Sequence, residues 1–212
     1  MLIHYAVAHS LYCAKLRIVL RAKGLEWHEQ SPPGGAGSAA YRALVPSGNL
    51  PALADGDLVI ADSEAIAEYL DEQYPLPPLM PKSPASRARM RERARFHDTR
   101  LEPTLRALFR HIAPDKRDAA LNARQSDALT ERLAQLGQIL NAAPDLAFGL
   151  GDCGYPVTFL WIDALTPALG LTPHYPARVI AYRDRLESVP AVAAELAAYR
   201  PAVQEWMAKA TA

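Results

Sequence analysis

The sequence has little cysteine. Only Cys13 and Cys153 occur among its 212 residues. Two cysteines are too few for a disulfide framework, and these two lack the close spacing of zinc ligands. The six histidines form no metal-binding pattern with cysteines or carboxylates either. We therefore expect no metal cofactor and, because cysteine is so sparse, a reducing compartment.

The chain also lacks net charge. Lysine and arginine together number 23, as do aspartate and glutamate, so the formal charge is zero. Proteins that bind nucleic acid or anionic membranes usually carry an excess of positive charge. We therefore expect neither as a partner.

Long hydrophobic runs are missing as well. No apolar run approaches the ~20 residues that a membrane-spanning helix needs, and the first seven residues lack the charged-then-apolar order of a signal peptide. Half of the residues are nevertheless hydrophobic, which is typical of a folded globular protein. These observations predict a cytoplasmic protein with one large domain or two small ones.

The first 75 residues alternate between strand and helix patterns. The predicted elements are strands at 2–8, 25–30, 51–54 and 58–61, and helical segments at 12–23, 39–44 and 63–73. Asp55-Gly56-Asp57 separates the last two strands and indicates a hairpin. The order is therefore β-α-β-α-β-β-α, in which the first strand–helix–strand unit favours parallel pairing.

A proline-rich stretch separates this part from the rest. The segment 74–84 contains five prolines, a density that no helix or central strand tolerates. We predict an N-terminal domain at 1–75, a linker at 76–84 and an all-helical domain at 85–212, which is rich in good helix formers. The predicted helices cover 85–111, 116–141, 156–169, 177–187 and, in pieces, 191–209.

The long helix at 85–111 carries many charged residues. Five arginines alternate along it and, at about 100° per residue, they spread around the helix and form no stripe. A solvated or subunit-facing surface is the simplest interpretation. Further candidates to face a cleft between the domains follow on the same predicted helix: His97, Asp98, Arg106, Arg110 and His111.

Two side chains near the start of the first helix are candidates for chemistry. Ser10 either caps the helix or donates a hydrogen bond to a nearby thiolate, which would lower the pKa of that thiol. Cys13 lies in the first helical turn, where a thiol pKa can be depressed and mixed disulfides can form. The alternative for Cys13 is a small, partly buried structural side chain.

Two further segments suggest a site for a peptide-like ligand. The backbone of Leu50, before Pro51, can pair with an extended ligand as an added strand. A helix that begins at Asp62 and Ser63 offers N–H groups and its positive dipole end to a carboxylate of the ligand. Asp62 or Glu64 would then form an ion pair with an ammonium group of the ligand. The structural alternatives are that Ser63 is only the N-cap and that Leu50–Pro51 is trans, since ~5% of X–Pro bonds are cis.

Both segments resemble the glutathione S-transferase family. Residues 45–53 resemble its Asn-Pro-x-Gly-x-Val-Pro-x-Leu stretch, and residues 62–70 resemble its Glu/Asp-Ser-x-Ala-Ile-x-x-Tyr-Leu stretch. The resemblance is strong over 1–75 and architectural beyond. It implies an α+β, thioredoxin-like N-terminal domain, an all-α C-terminal domain and usually a homodimer.

The resemblance also implies glutathione contacts. It makes Pro51 a cis proline, pairs the Leu50 backbone with the cysteinyl unit of glutathione, and gives the γ-glutamyl carboxylate to Ser63. Asp62 matches the acidic position before that serine. Asn49 stands where the family often has Lys or Gln near the glycyl end, so that contact is expected to be weaker or shifted.

The segment 10–17 is similar to the Ser-Pro-Phe and Ser-Ser-Cys segments of the tau and zeta classes, which places Ser10 at their catalytic serine. The resemblance implies a transferase that conjugates the glutathione thiolate to a small electrophile held against the helical domain, with Cys13 in reserve. A zeta-type, glutathione-dependent isomerase or dehalogenase and a non-catalytic binding or regulatory protein remain open.

One departure concerns the helix that follows Gly151 and Asp152. The family usually begins this helix with a Ser/Thr-x-x-Asp capping box, whereas the aligned run here is Tyr-Pro-Val-Thr at 155–158. Either Asp152 caps the helix from upstream or the helix starts differently.

Overall fold

The structure is a computed structural model that describes residues 1–144 and 146–212. Residue 145, within the predicted helical domain, lies outside the described residues. The N-terminal elements are β1 (Leu2–Tyr5), α1 (Leu11–Ala22), β2 (Trp27–Gln30), α2 (Ala39–Arg42), β3 (Ala52–Asp55), β4 (Leu58–Ala61) and α3 (Ser63–Gln73). The later helices are α4 (Pro84–Phe96), α5 (Glu102–Arg106), α6 (Ala119–Ala142), α7 (Tyr155–Leu169), α8 (Ala177–Glu187) and α9 (Pro190–Thr211).

The four strands form one mixed sheet in the order β2-β1-β3-β4. Strand β1 pairs with β2 in parallel and with β3 antiparallel, and β3 and β4 form the expected hairpin. Gly56 turns the hairpin with a φ of +58°, which glycine adopts without a steric penalty. The predicted fold class, an α+β thioredoxin-like domain followed by helices, is confirmed. The predicted division at 75 and 84 stays a prediction.

Helix α1 shows how local sequence builds these elements. Ser10 caps its first turn, and the helical spacing of Leu16, Val19 and Leu20 buries one face completely, where α1 packs against α3, α7 and α9. Gly24, with a φ of +64°, lets the chain leave the helix. The capping residue, the apolar spacing and the stop residue therefore all indicate the same helix. The predicted bounds match the observed ones within one residue at each end.

Helix α7 is the centre of the helical part. Trp161, Ile162 and Leu165 are at most 1% exposed, and α1, α5, α8 and α9 pack around this helix. In the described part of the chain, none of the helices is both long enough and apolar enough to cross a membrane.

Two helix predictions were wrong in detail. The single helix at 85–111 is interrupted, because Pro103 has no N–H to donate and the turn before it, His97–Leu101, is π-helical, with the Glu102 N–H bonded to the His97 carbonyl. The segment 191–209, predicted in pieces, belongs to the continuous helix α9 despite Pro201. Tertiary packing of both halves of α9 outweighs the local cost of that proline.

The arginines of α4 do not share one environment. Arg93 is 1% exposed and donates from Nη1 to Asp152 Oδ1 at 2.6 Å, while Asp152 Oδ2 accepts from the Gly149 N–H at 2.9 Å. The expectation of a wholly surface-facing series was therefore wrong for Arg93. Asp152 does not cap α7, which begins after Gly154 without a side-chain cap. It anchors the preceding loop to α4.

Glycine is required where that loop meets α4. A Cβ on Gly151 would lie 2.3 Å from the Met90 carbonyl oxygen. This distance is far inside van der Waals contact, so only glycine allows the backbones to approach so closely.

We expect Asp152→Ala to lower the free energy of unfolding by about 3–5 kcal/mol, because it leaves the buried Arg93 guanidinium without a counter-charge. Denaturant titration measures the change. Asp163→Ala is the matched control. It breaks an ion pair with Arg183 in which the two side chains are 28% and 44% exposed and thus reach solvent, and we expect a change of at most about 1 kcal/mol. Equal losses in the two variants would contradict the assignment of Asp152.

Candidate functional site

A cavity of about 880 Å³ lies between the N-terminal domain and the helical part. The N-terminal wall contains the six residues that the family resemblance implied for glutathione binding: Ser10, Asn49, Leu50, Pro51, Asp62 and Ser63. The helical wall contributes Arg95, Asp98, Thr99 and Arg106. Three loops that are distant in sequence thus meet at one cleft.

Ser10 stands at the N-terminus of α1. Its Oγ accepts a hydrogen bond from the Cys13 N–H at 3.3 Å, so the serine caps the helix as expected. The cap uses a lone pair and leaves the hydroxyl proton free to donate. The side chain is half-buried and lines the cavity. Ser10 can therefore cap the helix and stabilise an anion at the same time, which removes the conflict between the two hypotheses.

Leu50 precedes strand β3 at the cavity wall. Neither its N–H nor its carbonyl has a hydrogen-bond partner among the described residues. The Leu50–Pro51 bond is cis, as the family resemblance implied and contrary to the base-rate expectation. Next to it, the Asn49 carbonyl accepts from the Tyr41 hydroxyl at 3.0 Å, so Asn49 is anchored through its backbone and its side chain is left at the cavity.

The start of α3 differs from the expectation. Asp62, with a φ of +80°, is the N-cap, and its Oδ1 accepts from the N–H groups of Glu64 at 2.9 Å and Ala65 at 3.1 Å. The structural alternative, in which Ser63 is only the N-cap, was wrong, because the unusual backbone of Asp62 turns its own carboxylate onto the first turn. In the described part of the chain no hydrogen bond occupies the Ser63 hydroxyl, which lines the cavity.

Cys13 is not brought to the site. Its side chain is completely buried and does not line the cavity. Burial raises the pKa of the Cys13 thiol and outweighs the opposing effects of Ser10 and Arg17. Of the two interpretations of Cys13, the geometry supports the structural side chain over the reactive thiol, because the cysteine points from the first turn into the core.

Tyr12 lines the cavity beside Ser10, and no sequence motif had selected it. Its hydroxyl donates to Glu102 Oε2 at 3.1 Å. Burial and the negative charge of Glu102 raise the pKa of Tyr12 far above its ordinary value. Tyr12 is thus a neutral phenol with its proton committed to Glu102, and it cannot serve as a tyrosinate base.

A buried lysine joins the two walls of the cavity. The Lys15 Nζ lies 2.8 Å from Glu64 Oε2 and 2.9 Å from Asp98 Oδ2, and the Lys15 side chain is 2% exposed. Burial alone would lower the pKa of Lys15, but the two carboxylates outweigh it and raise that pKa. Lys15 is therefore charged. Glu64, engaged with it, is less available to a ligand ammonium than the sequence suggested.

Asp98 is held by a second partner. His97 Nδ1 lies 2.7 Å from Asp98 Oδ1, and His97 Nε2 lies 2.7 Å from Thr158 Oγ1. Burial tends to raise the pKa of Asp98, but the bond to His97 and the charge of Lys15 lower it to about 2. Asp98 is an anion whose position is fixed.

Of the other candidates on the long predicted helix, Asp98 and Arg106 line the cavity, His97 lies behind it, and Arg110 and His111 do not line it. The sequence did not nominate Lys15 or Thr99 for the site. Their partners come from other parts of the chain, so no local pattern could have identified them. Within 1–144 and 146–212 no cluster of three or more His, Cys, Asp or Glu could hold a metal ion.

Comparison with known proteins agrees with the family that the sequence motifs indicated. A family model for the glutathione S-transferase N-terminal domain matches residues 5–78. The stringent starvation protein A homologue of Haemophilus influenzae is 34% identical over 155 residues, which cover 72% of this chain and 70% of that protein. Two other homologues of the same name are 43% identical, but the matched 82 residues span only 39% of their length.

Two further matches extend the comparison. The maleylacetoacetate isomerase of Pseudomonas aeruginosa is 42% identical over 96 residues, which cover 41% of this chain and 44% of that protein. Among solved structures, the theta class glutathione S-transferase of Xanthomonas axonopodis pv. citri with glutathione bound has a TM-score of 0.71 at 25% identity. The match covers 95% of this chain and 98% of that one.

Both cysteines are buried and have raised thiol pKa values. We therefore expect the native protein at neutral pH to react with a thiol-specific disulfide reagent much more slowly than the denatured protein. The denatured protein should release two equivalents of the reagent's chromophore at once, one for each cysteine. Absorbance of the released chromophore measures both reactions. Rapid labelling of one thiol in the native protein would contradict the inert assignment of Cys13.

Proposed function

Because the chain belongs to the glutathione S-transferase family, we propose that it binds glutathione in the cavity and transfers the glutathione thiolate to a small electrophile. The observation that carries this proposal is that six residues from three separate sequence segments, between Ser10 and Ser63, line one cleft. The proposal includes the reaction of the whole protein, its substrates and its partners.

Each proposed glutathione contact uses a group that the fold leaves free. The cysteinyl backbone pairs with the N–H and carbonyl of Leu50. The γ-glutamyl carboxylate accepts from the Ser63 hydroxyl at the positive end of α3. Asp62 belongs to this subsite as the cap that holds the first turn, and the Asn49 side chain faces the glycyl end.

Ser10 is the proposed catalytic residue. When glutathione binds, its thiol proton leaves to solvent, and the Ser10 hydroxyl donates a hydrogen bond to the sulfur anion. The positive end of the α1 dipole stabilises the same charge. The thiolate electron pair then attacks the electrophilic carbon, and the new C–S bond forms as a leaving group departs or a double bond accepts the electrons. Tyr12 takes no proton in this scheme.

We expect Ser10→Ala to raise the thiol pKa of bound glutathione by about one unit, because a hydrogen bond to a charged acceptor contributes about 1.5–3 kcal/mol. The measurement is the ultraviolet absorbance of the thiolate in the complex as a function of pH. The rate at neutral pH should fall by about tenfold, and Ser10→Thr should retain most of it.

The control must separate lost catalysis from a lost helix cap. Ser83 caps α4 by accepting from the Ser86 N–H at 3.1 Å and does not line the cavity. Ser83→Ala removes a comparable cap at a cost of about 1 kcal/mol and should leave the thiol pKa unchanged. If Ser10→Ala also leaves that pKa unchanged, the catalytic role of Ser10 is wrong.

Two alternative functions have specific support. Similarity to a maleylacetoacetate isomerase favours a glutathione-dependent isomerisation, and a dehalogenase of the zeta type belongs to the same alternative. The name of the stringent starvation protein A homologue of Haemophilus influenzae, which the match covers to 70%, states no reaction, and this similarity keeps a non-catalytic binding or regulatory role as the second alternative. Calorimetry with reduced glutathione and then a panel of electrophiles separates them, since the non-catalytic role predicts no turnover.

We also propose that the protein is a cytoplasmic homodimer with the domain division at 1–75, 76–84 and 85–212. Arg91, on the exposed surface of α4, pairs with Glu68 of α3 at 2.7 Å. This places charged groups of both domains on one surface, which suits a subunit contact.

A further inference from the structure

The helical wall of the cavity is charged where a general electrophile pocket would be apolar. Its four lining residues are two arginines, an aspartate and a threonine. A purely apolar electrophile would have to remove water from these groups without replacing their hydrogen bonds, which is unfavourable. The wall therefore favours a substrate that carries polar or charged groups of its own.

The carboxylates that line the cavity already have partners. Asp98 is bound to Lys15 and His97, and Asp62 caps α3. Their negative charges are balanced by groups of the protein and are not left to attract a cation. Among the described residues, Arg95 and Arg106 are the basic side chains that line the cavity.

The two guanidiniums belong to different helices. Arg95 lies in α4, one turn before Asp98, and lines the cavity. Arg106 stacks over the Tyr12 ring, with its Cζ 5.5 Å from the ring centroid, and Tyr12 is two residues from Ser10. Arg106 therefore faces the thiol end, where an electrophile reacts.

Arg106 is positioned and yet accessible. Glu102, which is buried, pairs with it from the preceding turn and also accepts from the Tyr12 hydroxyl. The cation–π contact with Tyr12 adds a second restraint. The Arg106 side chain is nevertheless 55% exposed, and a guanidinium has five N–H donors, more than Glu102 can use. Free donors remain to bind a carboxylate in a forked geometry.

We propose that Arg106 is a specificity residue that selects electrophiles bearing a carboxylate next to the reacting carbon. The proposal rests on the proposed glutathione site and defines the class of its second substrate. Lysine in place of Arg106 would keep the charge without the fork, and glutamine would remove the charge.

The test uses two stable glutathione conjugates of equal size, S-carboxymethylglutathione and S-carbamoylmethylglutathione, which differ only in a carboxylate and its neutral amide. Calorimetry measures binding, so no turnover is required. We expect the wild-type protein to bind the carboxylate conjugate about tenfold more tightly, as for a charge-assisted hydrogen bond at a half-exposed site. The ratio within each variant cancels changes in affinity for the shared glutathione moiety.

We expect Arg106→Gln to reduce the ratio to about one, and Arg106→Lys to keep part of it. Arg110→Gln is the matched control, because Arg110 is an exposed arginine four residues on that does not line the cavity, and it should keep the full ratio.

Equal binding of the two conjugates by the wild-type protein, or a ratio that survives in Arg106→Gln, overturns the proposal. If the protein binds reduced glutathione in these cases, the proposed glutathione site stands and only the role of Arg106 fails. If neither glutathione nor either conjugate binds, the glutathione site itself is wrong and the proposal falls with it.

Discussion

The buried charge of Lys15 is the interaction on which the site depends. An ammonium group at 2% exposure is stable only if carboxylates surround it, and here they come from α3 and from the π-helical turn after α4. One side chain of the N-terminal domain therefore fixes the position of the helical wall. The cavity between Ser10, Ser63 and Asp98 has its shape because these elements cannot separate without leaving a charge unpaired.

A second buried ion pair supports the same wall from behind. Arg93 and Asp152 hold the loop before α7 against α4, and Gly151 allows the backbones to meet. Through His97 and Thr158 the core helix α7 also reaches the residue next to Asp98. The wall that faces the ligand is thus attached to the core of the helical part, which suits a site that must hold two groups at a fixed distance.

Much of this protein follows from local sequence. Helices α1, α3 and α8 were predicted almost to the residue, because apolar spacing, start residues and stop residues agree there. The motifs around Pro51 and Ser63 identified the family. The family resemblance then predicted the fold and the residues that meet at the cleft. The wrong helix bounds lie where the local effect of a proline competes with tertiary packing, as at Pro103 and Pro201. The strength of tertiary contacts cannot be inferred from the local sequence pattern.

The sequence by itself determined the order of elements, the family and, through the family motifs, six of the residues on the N-terminal wall, since those motifs consist of neighbours in the chain. Only the tertiary structure decided that Asp62 rather than Ser63 caps α3, that Cys13 points into the core, and that Arg106 lies over Tyr12. The reason is physical: burial, pKa and pairing of a charge are set by groups that are distant in sequence, and these become neighbours only when the chain is folded.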